Sequence, residues 1–181
     1  MSRIFDRENG QKSDPATDRR YEEVLAFSLS HGAVIGRGAR DREIRRTDSD
    51  IAARLLMKGI VVPAIPEDYR AFLRRADGFS RDDVCFFGTE LLLYPAGGSL
   101  PSLMEVNYRN RPNARGVSGC LVIGACGDDT IVYDGDAEEY RFMDPGTAAD
   151  AERRRVRSWR RFDDLFFCLT EDTEGREHGN G

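Results

Sequence analysis

The stretch that decides the fold reads Pro63-Ala64-Ile65-Pro66-Glu67-Asp68-Tyr69-Arg70-Ala71-Phe72-Leu73-Arg74-Arg75-Ala76-Asp77-Gly78-Phe79, then a polar turn, then Val84-Cys85-Phe86-Phe87-Gly88-Thr89. Pro66 suits the first position of a helix, where a missing N–H costs nothing, and Glu67 and Asp68 favour the positive end of its dipole. Tyr69, Phe72, Leu73 and Ala76 recur at helical spacing, which makes one apolar stripe and turns Arg70, Arg74 and Arg75 toward water. Asp77-Gly78 is expected to stop this helix, with Gly78 free to take a left-handed cap. A short β-rich run follows at once. The stretch contains no catalytic motif; it is a packing unit.

Working toward the N-terminus, Pro63 bounds an extended link from Ile60-Val61-Val62. Asp48 or Ser49 caps a preceding helix whose Ile51, Leu55 and Leu56 are expected to point inward and which Gly59 ends. The segment 32–46 reads as a Gly- and Arg-rich connection. Its Gly36-Arg37-Gly38 lacks the third glycine and the Lys-Ser/Thr pair of a phosphate loop, so a plain loop is expected. Thr17 or Asp18 caps a first helix to about Ser30, with Tyr21, Val24, Leu25 and Leu29 on one face. The charged segment before it, through Ala16, has no periodicity.

Working toward the C-terminus, Val84–Gly88 and Glu90–Tyr94 are short β-rich runs joined by a bulge or tight hairpin at Gly88-Thr89. Ser99 or Ser102 can cap a helix over Leu103, Met104, Val106 and Asn107 that fades in the polar run 109–115. Three strands are expected at Cys120–Ala125, Thr130–Asp134 and Glu139–Met143, joined by turns rich in Gly and Asp. Ile131, Tyr133, Tyr140 and Phe142 share one face of the last two. A final helix runs from about Arg160 to Leu169 on Phe162, Leu165, Phe166 and Leu169, and the rest of the chain is polar. The order predicts an α+β fold: N-terminal helices, a mainly antiparallel sheet of about five strands, and a C-terminal helix. The corresponding division is a charged extension with one helix over 1–46, an α+β domain over 47–170 and a tail over 171–181.

The 181 residues are 40% hydrophobic and 33% charged, the composition of a globular chain with a heavily charged surface. No apolar run approaches the ~20 residues of a membrane span, and the first ten residues lack the apolar centre of a secretory signal. Cys85, Cys120, Cys126 and Cys168 are too widely spaced for a zinc site or a disulfide framework and read as small hydrophobes in a reducing cytoplasm. His31 and His178 stand at a helix end and in the tail, so no histidine-based catalytic or metal centre can be assembled, and no cofactor site is expected.

Charge is the informative feature. Segment 101–150 holds nine acidic and four basic residues and so carries the whole chain's net charge of −5. Asp128, Asp129, Asp134, Asp136, Glu138, Glu139 and Asp144 stand around a single Arg141. Such a field attracts a basic partner and speeds encounter, although carboxylates also protect sheet edges from aggregation. Asp134-x-Asp136-x-Glu138 lacks the full ligand loop of a calcium site. An opposite cluster, Arg153, Arg154, Arg155, Arg157, Arg160 and Arg161 around Trp159, has the ingredients of a nucleic-acid contact, yet on an acidic chain a solvated lead into the last helix is the favoured reading of so short a cluster.

The chain resembles the SUKH superfamily of Smi/Knr-type domains, most closely its YrhA-like branch. The resemblance is carried by Ile65-Pro66-Glu67-Asp68-Tyr69 with Phe72-Leu73, Asp77-Gly78-Phe79 and Phe86-Phe87-Gly88-Thr89-Glu90-Leu91. It continues in Asn107, Leu121-Val122-Ile123-Gly124, Tyr133-Asp134, Tyr140 and the run from Trp159-Arg160-Arg161-Phe162 to Leu169, and covers about 51–170. One departure is Asp77, where the family usually has Asn. The resemblance implies an α+β domain without catalytic residues, and for bacterial members an immunity protein that neutralises a cognate toxin, often a nuclease; other members are signalling adaptors. The expected function is therefore a non-enzymatic, monomeric, cytoplasmic immunity protein that offers Asp128, Asp129, Asp134, Asp136, Glu138 and Glu139 to a basic toxin domain. The alternative is a nucleic-acid-associated or adaptor regulatory protein using the arginine cluster.

Overall fold

In the computed structural model, residues 14–109, 111, 119–143 and 158–171 are described. The fold is α+β, with an antiparallel sheet of seven strands among those residues in place of about five. Helix α1 (Pro15–Ser30) starts one turn earlier than the caps Thr17 and Asp18 imply, because the Asp14 carboxylate accepts from the Ala16 N–H and Pro15 occupies the first turn. Strand β1 (Val34–Arg37) and helix α2 (Asp41–Leu56) replace the loop expected over 32–46. Glu43 caps α2 by accepting from the Arg40 N–H at 2.7 Å, and Ile44, Thr47, Ile51 and Leu55 are its buried stripe. Ile44 is the lone apolar residue in a charged run, too little for periodicity to register.

Asp48 therefore lies inside α2, where it does tertiary work: it accepts from the Ile65 N–H at 2.9 Å and pairs with Arg70 at 2.5 Å. The division drawn at residue 46 falls within this helix, and α1 and β1 join the same core as the rest. Leu56 and Leu29, expected inside, are 65% and 55% exposed, while Ser28 takes the buried place on α1.

Helix α3 (Glu67–Arg75) buries Tyr69, Phe72 and Leu73 as the stripe requires. Its arginines do not simply face water: Arg70 pairs with Asp48, Arg74 with Asp41 and Glu67, and Arg75 with Asp18. The chain passes without a turn from α3 into β2 (Ala76–Arg81), so Asp77-Gly78 sits at the start of a strand instead of capping the helix; Gly78 still has a positive φ of 99°. Then come β3 (Val84–Phe86), the small ribbon β4 (Leu92–Leu93) and β5 (Ser99–Leu100), and a π-helical segment over Glu105–Arg109. The run 90–94 pairs with β5 and makes no hairpin with β3. Strands β6 (Cys120–Cys126), β7 (Asp129–Asp134), β8 (Glu139–Met143) and β9 (Ser158–Trp159) and helix α4 (Phe162–Glu171) complete the described chain. Thr170 is buried in α4, which runs past the helix end expected at about Leu169. The sheet order is β1-β2-β3-β6-β7-β8-β9, and α3 and α4 cover its Phe79 and Phe86.

The upper half of β6 has no strand on its β3 side beyond Gly124. The buried Asn107 amide fills that position, donating to Val122 O at 2.8 Å and accepting from Val122 N at 2.9 Å. Replacing Asn107 with alanine strands both groups of a buried strand, and an unsatisfied buried polar group costs about 1–3 kcal/mol. Urea melts of Asn107→Ala should show a loss of about 3 kcal/mol; a loss under ~1 kcal/mol would mean that water takes the amide's place.

Asp77 ties the Gly88-Thr89 corner to β2, accepting from Thr89 N at 2.5 Å and Thr89 Oγ1 at 2.7 Å. Burial pushes its carboxyl above the usual value, against the two bonds from Thr89. The folded state thus binds this proton more tightly than the unfolded chain does. The resulting penalty is absent below the unfolded pKa, grows as pH rises through the folded pKa, and stays constant above it. Asp77→Asn retains an acceptor for Thr89 N and removes the buried charge. It should raise Tm at pH 7 and converge with the wild type near pH 3; a lower Tm at pH 7 would refute the assignment.

Candidate partner-binding surfaces

The two turns that carry most of the candidate carboxylates lie at opposite ends of β7. Cys126 pairs with Asp129 across one turn and Asp134 with Glu139 across the other, so Asp128 and Asp129 stand about 17 Å from Asp134, Asp136, Glu138 and Glu139. The six residues form two groups, not one.

At the first end the fold adds two carboxylates from elsewhere in the chain. Val84 pairs with Cys126, which sets the β2–β3 turn beside the β6–β7 turn, and the Gly127 N–H donates to Asp83 O at 2.8 Å. Asp82, Asp83 and Asp128 are exposed and Asp129 is half-buried. Buried Arg81 is tied to this end: its Nε lies 3.4 Å from Asp82 while its Nη atoms donate to Ser28 Oγ and Thr170 O. Asp82 also holds a positive φ of 53°. The Asp82-Asp83 turn is visible in the sequence, but its neighbour across the β3–β6 pairing is not.

At the second end Asp134 is a structural residue. Its Oδ1 accepts from the Asp136 and Ala137 N–H groups and its Oδ2 from Arg141 at 2.7 Å. Burial raises its pKa, but the Ala137, Arg141 and Asp136 hydrogen bonds outweigh that and hold the carboxyl below its usual value. Asp136 and Glu138 are exposed and Glu139 is half-buried. Gly135 packs on Pro63, where a β-carbon would come within 2.5 Å of the proline ring.

A groove of about 830 Å³ opens beside this second end, between α1, α3, the β7–β8 turn and the start of α4. Its floor is a set of tyrosine–carboxylate bonds. Tyr140 donates to Asp68 at 2.5 Å and Tyr21 to Asp163 at 2.6 Å, and Asp68 also accepts from the Phe162 N–H at 2.7 Å, capping α4 from across the fold. Burial, then the neighbouring carboxylates, push both phenols well above the ordinary tyrosine range.

Of the arginine cluster, Arg153, Arg154, Arg155 and Arg157 lie outside the described residues, as do Asp144 and His178. Arg161 pairs with Asp163 at 2.5 Å, and Trp159 packs edge-on against Phe142 at 5.5 Å, so its ring is engaged in the fold. Cys85, Cys120, Cys126 and Cys168 are not joined in disulfides; Cys120 is buried and the others half-buried. Burial pushes the Cys85 thiol up to about 11, which leaves it a poor nucleophile. Among the described residues no group of His, Cys, Asp and Glu is placed to hold a metal ion, and no helix is long and apolar enough to cross a membrane. Compared with known proteins, the chain matches no family model, no curated protein and no solved structure.

Proposed function

We propose that this chain is a non-enzymatic cytoplasmic immunity protein that binds a basic toxin domain, in the manner of a nuclease inhibitor, and occludes its substrate groove. The resemblance to SUKH domains motivates the class. The observation that carries the mode of action is the convergence of Asp82, Asp83, Asp128 and Asp129 at one end of the sheet, on two turns from distant parts of the sequence. Carboxylates displayed on rigid turns stand where the phosphates of a nucleic acid would meet a nuclease, and they steer a cationic partner into contact.

The test is co-expression with a toxin domain encoded beside this chain, with survival of the host as the readout. Loss of the toxin's effect supports the reading; undiminished toxicity, or steeply salt-dependent binding of nucleic acid by the chain itself, overturns it. The surface is tested by Asp83→Asn/Asp128→Asn/Asp129→Asn, with Asp82 kept because it pairs with buried Arg81. The triple variant should melt like the wild type and associate with the toxin about tenfold more slowly at low salt. The gap should close as salt rises, since peripheral charges act through screened long-range attraction. An unchanged association rate at low salt would assign these carboxylates to solubility alone.

A further inference from the structure

Along the groove on α3 almost every charged group is already satisfied. Arg74 holds Glu67 and Asp41, Arg75 holds Asp18, Arg161 holds Asp163, and Asp68 accepts from Tyr140 and the Phe162 N–H. Three side chains on the same groove stand apart from this network. Tyr133 on β7, Glu138 on the β7–β8 turn and Arg160 before α4 line it, and none has a side-chain hydrogen bond or ion pair to another described residue. They supply a hydroxyl, a carboxylate and a guanidinium from three separate segments. Ala71 of α3 also lines the groove, where a longer side chain would take up part of its volume. Glu138 moreover holds a φ of 51°, a turn conformation that glycine adopts freely and glutamate does not.

A carboxylate is met by an ammonium or guanidinium, and a guanidinium fork by a carboxylate, each charge-assisted bond being roughly twice as strong as a neutral one. A hydroxyl adds a donor and an acceptor for a peptide backbone. The volume falls within the range of ligand-binding clefts, about 300–1,000 Å³. Resting on the partner-binding reading above, we propose that this groove seats an extended segment of the protein partner bearing one cationic and one anionic side chain, the cation meeting Glu138 and the anion Arg160. A standard interface is roughly 30 Å across, more than the ~17 Å of β7 between the acidic end of the sheet and the β7–β8 turn beside this groove.

The test uses the full chain, labelled with ¹⁵N, and capped octapeptides of Gly and Ser carrying one Lys and one Glu zero to four positions apart. Lys-only, Glu-only and uncharged peptides are the controls. At least one doubly charged peptide should saturably shift the amides of Tyr133, Glu138 and Arg160 with Kd of about 0.1–5 mM, at least about tenfold tighter than the uncharged peptide. Glu138→Gln and Arg160→Gln should each weaken it about fivefold, and Ala71→Trp should abolish it while amides away from the groove keep their positions. No shift up to ~10 mM peptide, equal affinity for the uncharged peptide, or shifts confined to other faces would overturn the proposal. The co-expression assay separates this failure from that of the function itself. If the wild type and Ala71→Trp protect equally, the groove is not the seat and the immunity reading stands. If peptides bind as described while the wild type gives no protection, the immunity reading falls and the groove remains.

Discussion

Phe72→Ala is expected to cost about 3–5 kcal/mol, the range for deleting a fully buried ring. The Phe72 ring lies within 6.3 Å, centroid to centroid, of Tyr21, Tyr69, Phe86, Phe162 and Phe166. Those partners come from α1, α3, β3 and α4, so one side chain joins three helices to the sheet. Its neighbours are themselves rings in mutual contact, and aromatic rings do not flow into a vacated volume as a methionine does. The cavity therefore stays largely open. Against a total stability of about 5–15 kcal/mol, such a loss leaves a marginal fold. Phe72→Leu, which keeps most of the volume, should cost about 1–2 kcal/mol. Denaturant melts of the two variants make the comparison, and a Phe72→Ala loss below ~1 kcal/mol would place the core elsewhere.

The second large effect comes from a residue with no side chain. Gly36 of β1 stands opposite the bulge of β2, where Asp77 and Gly78 together face it between the Ile35–Phe79 and Arg37–Ala76 pairs. A β-carbon built there lands on the backbone carbonyl of Asp77. Asp77 has nowhere to retreat: a β-carbon on Gly88 would come within 2.5 Å of the same oxygen, and the Asp77 carboxylate is clasped by Thr89. Overpacking against backbone costs about 1–3 kcal/mol and more when the backbone is held on both sides, so Gly36→Ala is expected to lose at least about 3 kcal/mol. Gly32→Ala is the control. It has the same change in composition and a positive φ of 83°, but nothing stands within 4 Å of its β-carbon. Backbone strain alone should cost it about 1 kcal/mol. Equal losses in the two variants would show that the β1–β2 approach is loose.

In segment 32–46 the local signals are too weak to specify the structure. Its glycines were legible as glycines, yet Gly36 and Gly38 serve as close-approach positions against Asp77 and Arg74 backbone, and nothing local distinguishes those from loop glycines. A four-residue strand and a helix with one early apolar residue carry too few periods to register against a charged background. The arginines of α3 read as solvated because their carboxylate partners, Asp18, Asp41 and Asp48, come from α1 and α2.

By itself the sequence determined what local periodicity and turn chemistry can specify. That includes the buried stripe Tyr69, Phe72 and Leu73, the three strands from Cys120 to Met143 with their Asp- and Gly-rich turns, the final aromatic helix, and hence the α+β class. It also located the charge excess in segment 101–150. Only the tertiary structure decided which carboxylates stand together. Strand pairing put Asp82 and Asp83 beside Asp128 and Asp129, sent Asp134 through Glu139 to the far end of β7, and bound Asp134 to Arg141. It likewise brought Tyr133, Glu138 and Arg160 from three segments to one groove. Periodicity fixes which face of an element is apolar, whereas the neighbour across a strand is chosen by nonlocal pairing, and electrostatics depends on distance in space rather than along the chain.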